Sequence, residues 1–188
     1  ECRTGTEDLA RTGVLWEETR KALTASELTK TEGYSAVQLR VFEREHDRDG
    51  RLDREAWSPW ATTTRSPFIA TNPAQLSANG YLLREDGTSV DFDDRDIREA
   101  DVQWHGPDAV VLLSPEFERD HCFQVVAGEG PTRDAIGLAF APHEGRELPD
   151  IAGTLWVDRA TAELRFVEFE YVNSGLPDRM NGTGRIEF

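Results

Sequence analysis

At 188 residues the chain is long enough for one domain with a self-sufficient apolar core, and it shows neither the linker nor the internal repeat that a second unit or a solenoid would need. Its 36 acidic residues outnumber 21 basic ones, for a net charge of −15; this repels phosphate backbones, and no basic stripe with interleaved aromatics offsets it, so nucleic acid is not an expected partner. No run approaches the roughly 18 apolar residues of a membrane helix, so the chain is expected not to span a membrane.

The chain opens at Glu1 without an initiator Met or a signal-peptide pattern and stops within the alternating "TGRIEF". A single domain over residues 1–188, excised from a longer exported protein, is the expectation. Its two cysteines, Cys2 and Cys122, form an even count with one member at the N-terminus, as a crosslink pinning that terminus would have. A disulfide implies an oxidising compartment; two separate thiols, or a lipidated Cys2, are the alternatives.

Residues 4–27 read as a helix. Thr4 and Glu7 offer a capping box, Glu7 and Asp8 are acidic in the first turn, and Leu9, Trp16 and Leu23 recur at sevens beside the small Ala10, Gly13, Thr19 and Ala22. From Tyr34 the period falls to 2: Val37, Leu39 and Val41 alternate with Gln38 and Arg40, as in a strand with one wet face. The stretch "EHDRDGRLDRE" has Asp47, Asp49 and Asp53 around Gly50, like a calcium loop. Ala56, however, stands where that loop needs its bidentate acid, and both flanks have strand period, so it reads as a hairpin turn.

Asp86-Gly87 marks another hairpin, and "SPEFERDH" a short second helix with Ser114 as cap and Pro115 at its first position. Three further strands follow: "AIGLAFA" alternates Ile136, Leu138 and Phe140, "IAGTLWV" alternates Leu155 and Val157, and "RFVEFEY" sets Val167 and Phe169 against Glu168 and Glu170. The pattern is mainly β within the α+β class: a strongly curved antiparallel sheet or half-barrel with an N-terminal helix and a short second one.

Catalytic signatures are sparse. His46, His105, His121 and His143 share no metal-ligand spacing, and a Cys122 nucleophile would need a base that its sequence neighbour His121 need not supply. The acidic run from Asp91 to Asp101 has carboxylates enough for a divalent ion, in a spacing that fits no known ligand loop.

The C-terminal run, "IGLAFAP", "GTLWVDRATAELRFVEFEY" and then "GTGRIEF", resembles the end of the periplasmic outer-membrane lipoprotein carriers and receptors, the Lol family, over roughly 110–188. The stretches "CRTGTEDLARTGVLWEETRKAL" and "DHCF" also look like the region following a carboxypeptidase-regulatory-like domain in bacterial exported proteins, and each holds one cysteine. The resemblance implies a lidded half-barrel whose apolar concavity binds acyl chains.

The expected function is therefore a non-catalytic binding module of the periplasm or cell surface, with no cofactor and no metal. A lipid or other hydrophobic ligand would lie against Val37, Leu39, Val41, Ile136, Leu138, Phe140, Leu155, Val157, Val167 and Phe169. One alternative is a protein-interaction domain with a filled core, met by an envelope partner. The other is a metal-assisted enzyme using the Asp91 to Asp101 loop.

Overall fold

The computed structural model describes residues 6–31, 37–39, 42–46, 51–57, 59, 61–63, 72–90, 102–175 and 182–187. It is mainly β, with helix α1 (Thr6–Thr31) at its start and an antiparallel five-stranded sheet at its end. That sheet is a meander of β7 (His121–Ala127), β8 (Ala135–Pro142), β9 (Asp150–Asp158), β10 (Leu164–Val172) and β11 (Thr183–Glu187), each strand paired to the next in sequence. With β7 and β11 as its edges it is open and does not close into a barrel.

Alternation in the sequence becomes two faces of the sheet. Leu138, Leu155 and Val167 lie in one register line, paired Leu138↔Leu155 and Leu155↔Val167, and all three are fully buried. Helix α1 packs across β7, β8 and β10 on this side. Among its described side chains the buried ones are Thr12, Trp16, Thr19 and Leu23, spaced four, three and four apart, which is the spacing of one helical face. Trp16 packs on Phe123 of β7 with the rings tilted by 38° and their centres 4.8 Å apart. Fully burying a Leu stabilises by about 1.5–3 kcal/mol, so this single face supplies much of what holds the helix in place.

The expected helix at 4–27 exists and runs on to Thr31; Thr4 of its expected capping box lies outside the described residues. The "SPEFERDH" helix is α4 (Pro115–Asp120), where the Ser114 hydroxyl accepts from the Phe117 N–H at 3.1 Å. It is not the only short helix: α2 (Pro73–Asn79) and α3 (Ala109–Leu112) also occur, capped by Asn72 and Asp108. Helix α2 ends at Gly80, whose φ of +88° suits glycine and whose added Cβ would lie 2.5 Å from the Pro149 carbonyl.

The single strand expected from Tyr34 onward is two strands in the structure. β1 (Val37–Leu39) pairs with β4 (Ala61–Thr63), whereas β2 (Phe42–His46) pairs with β3 (Leu52–Trp57). Period 2 signals extended backbone but not which neighbour it bonds, so the change of partner left no mark on the pattern. The β2–β3 pairing agrees with a hairpin at "HDRDG", although residues 47–50 lie outside the described ones. At Asp86-Gly87 the turn closes through Gly87 N–H to the Arg84 carbonyl at 2.8 Å, and β5 (Leu82–Arg84) takes β6 (Val102–Trp104) as its ladder partner.

Candidate functional site

Most of the residues expected to line a ligand cavity are core. Leu138, Phe140, Leu155, Val157, Val167 and Phe169 belong to one contiguous buried cluster that also holds Trp16, Leu23, Leu76, Leu112 and Phe117 from the helices, and Ile136 packs against it. Val37 and Leu39 lie on β1, and Val41 lies outside the described residues. The helix-facing side of the sheet is thus occupied by side chains of α1 to α4 among the described residues. Gly153 shows how tight the packing is. A Cβ there would sit 2.1 Å from the Glu168 carbonyl oxygen and 2.9 Å from the Phe140 ring.

Polar chemistry concentrates at one end of this core. His121 and Asp150 are both buried, with His121 Nε2 3.1 Å from Asp150 Oδ1 and His121 Nδ1 3.0 Å from the Phe117 carbonyl. The Phe117 carbonyl can only accept, so Nδ1 is the ring nitrogen that donates there, while Nε2 faces the carboxylate. Asp150 also accepts from the Ile151 N–H at 2.7 Å and, on its other oxygen, from Arg146 Nε. Arg146 donates further to the Ser77 carbonyl at 2.9 Å and lies 3.7 Å from Asp120.

Arg146 thus lies between two carboxylates, Asp150 and Asp120, with the His121 ring on the far side of Asp150. Burial opposes ionisation of Asp120, but hydrogen bonds from Arg119 and Ser77 and the nearby Arg146 charge outweigh it and hold its carboxyl below the usual range. Tyr81, buried beside Asp150, has its phenol pushed well up by burial first and by that negative charge second. A Ser–His–Asp relay would need a hydroxyl on the His nitrogen remote from the acid, and here a backbone carbonyl occupies that place. The cluster is a clasp. It ties the C-terminal carbonyls of α2 to the start of β9 and the end of α4.

Cys122 follows His121 in sequence, but on a strand neighbours face opposite ways, and the ring near its sulfur is that of His143, Nδ1 to Sγ 3.2 Å. His143 Nε2 faces the Arg119 carbonyl at 2.6 Å, so that nitrogen donates. No free cysteine occurs among the described residues, and Cys2 lies outside them. His105 is buried, which lowers its pKa from the ordinary histidine value. Its backbone N–H donates to the Tyr81 carbonyl at 3.0 Å, and its carbonyl accepts from the Tyr171 hydroxyl at 2.9 Å. His46 closes β2, and the Asp91 to Asp101 run lies outside the described residues, among which no group of three or more potential metal ligands gathers.

The opposite face of the sheet holds an open groove of about 600 Å³. Its floor is two rungs across three strands, Thr154, Glu168 and Arg185 in one and Ala152, Glu170 and Thr183 in the next. Trp57, at the end of β3, is 43% exposed and forms a wall. Arg185 stacks 3.7 Å over Phe166 and bonds Glu168 and Glu187, each at 3.0 Å. No signal in the sequence marks Trp57 for this role, because nothing in local pattern connects β3 to β9, β10 and β11. Set beside protein-family models, curated proteins and solved structures, the chain matches none of them.

Proposed function

We propose that the chain is a non-catalytic interaction module of the cell envelope with a filled core, whose partners are met on the outside of the sheet. The observation that carries this reading is the complete burial of Leu23, Leu138, Leu155 and Val167 in one cluster on the side where an acyl chain was expected. A lipid placed there would have to lift α1 and expose its apolar face, at a cost of the order of several kcal/mol for the Leu and Trp side chains alone.

Likeness to the Lol half-barrels is kept as part of the proposal. It is supported by the order of elements, a long first helix and then a meander in which β8 ends at Pro142 and β9 carries "LWVD". Export to the periplasm or cell surface rests on the Cys2 to Cys122 crosslink, which is likewise proposed. Native mass spectrometry of protein purified from cells tests the filled core directly. The bare chain mass is expected, and a stoichiometric lipid adduct would overturn the reading in favour of an acyl-chain carrier.

A further inference from the structure

We infer that the groove between Trp57 and the outer face of β9, β10 and β11 receives a cationic side chain from an extended, lysine-bearing segment of a partner protein. The inference rests on the interaction-module reading and names the chemistry of the partner.

Charge decides among the candidate occupants. The floor carries the carboxylates of Glu168 and Glu170 against one guanidinium, that of Arg185. Glu168 is already neutralised, since it accepts from Arg185 and from the Trp156 indole N–H at 3.2 Å. Glu170 is exposed, and among the described residues no cation pairs with it. One carboxylate is thus left over, in a chain whose net charge is −15, so an anionic group would be repelled at long range and again at the site. An acyl chain would fit poorly for another reason: it would strip water from Thr154, Thr183 and Glu170 without offering them a hydrogen bond.

An ammonium group meets both demands. It pairs with the Glu170 carboxylate, donates to the threonine hydroxyls, and lies beside the indole, whose ring attracts cations through its quadrupole. Trp57 is held for this by its own indole N–H, which donates to Glu55 on the same strand. Two outer rungs of a sheet are about 6.6 Å apart along the strands, room for one flexible side chain to enter while its backbone stays in solvent. Long-range attraction between opposite charges would also speed encounter with such a segment.

The test uses the whole chain and a short end-capped peptide of alternating lysine and threonine, with glutamine and glutamate versions for comparison, titrated by calorimetry. Binding of the lysine peptide alone is expected, weakening as salt rises past about 0.15 M. Trp57→Ala and Glu170→Gln should each weaken it roughly three- to tenfold. Glu144→Gln, the same charge change in the loop between β8 and β9, should leave it unaltered, and melting temperatures confirm that each variant is folded.

Equal weakening by Glu144→Gln would overturn the inference in favour of unspecific acidity. Equal binding of the glutamine peptide would overturn it in favour of a neutral occupant, and the absence of any binding at low salt would overturn it outright. None of these results bears on the filled core, which falls only if lipid co-purifies.

Discussion

Asp150 shows how a single carboxylate can hold several elements together. It is fully buried, pairs with His121 and accepts from Arg146 and the Ile151 N–H, so its removal takes the nearest carboxylate from Arg146 and leaves His121 Nε2 and the Ile151 N–H without their partner. Breaking a buried pair by deleting one member typically costs about 3–5 kcal/mol, since the remaining charge cannot rehydrate, so Asp150→Ala should lower the unfolding free energy obtained from urea titration by about that amount or prevent folding. An Asp150→Ala protein with wild-type stability would mean that water reaches the clasp freely. The pH dependence has a definite sign. Burial lowers the His105 pKa, so its contribution is complete above the ordinary histidine value of 6.5 and is lost as pH falls, because the unfolded chain takes up the proton first. Asp86 and Asp158 are lowered too, the first by Thr88 and the second by the N–H groups of Ala160 and Thr161, and their stabilisation is lost as pH falls below the ordinary carboxylate value of 3.8. Thermal melts across that range should therefore show two successive losses on acidification, one near and below 6.5 and one below 3.8; stability constant down to pH 5 would contradict the His105 assignment.

Among the elements, α1 is the one whose attachment depends most on a narrow set of side chains. Among the described side chains its exposed side carries pairs such as Glu18 to Lys21 at 2.7 Å, and Val14, 67% exposed, lies outside the core. Leu23 is fully buried, so Leu23→Ala is expected to cost about 2–5 kcal/mol, whereas Val14→Ala should stay within about 0.5 kcal/mol. Chemical unfolding of the two variants compares them, and an equal effect would mean that α1 does not pack as described. In β10, the shift of register between Leu164 and Phe166 explains a departure from simple alternation. Phe166 falls on the wet face yet is only 7% exposed, because the Arg185 guanidinium covers its ring.

At the scale of the whole molecule, the proposed Cys2 to Cys122 bond would fix the start of α1 to the first strand of the sheet that α1 covers. The chain-entropy model gives about 4.7 kcal/mol for closing a loop of about 100 residues, with measured values often smaller. Reduction is therefore expected to lower the melting temperature by several degrees and to expose the face that bears Trp16 and Leu23. A thiol count on unfolded, unreduced protein made under oxidising conditions should find none. Two titratable thiols would remove both the crosslink and the main support for export.

The sequence by itself determined what local chemistry and period can determine. Ser114-Pro115 set the start of α4, the alternations from Ala135 to Tyr171 set three strands, and the short connections between them set an antiparallel meander, because a strand joined to the next by a few residues can only turn back on it. Helix α2, absent from the expected elements, is equally legible in "NPAQLSANG", with its Asn cap, early Pro and terminal Gly. Only the tertiary structure decided which surface does what. His121 and Cys122 stand side by side in the chain yet one joins Asp150 in the core and the other meets His143, and Trp57 faces a groove made by strands roughly a hundred residues away. Side-chain partners of that kind are set by packing between distant segments, to which no local period or cap is sensitive. The same packing decided whether the apolar face of the sheet would be a cavity or a core, since both have the same alternating sequence until a helix either covers it closely or stands off.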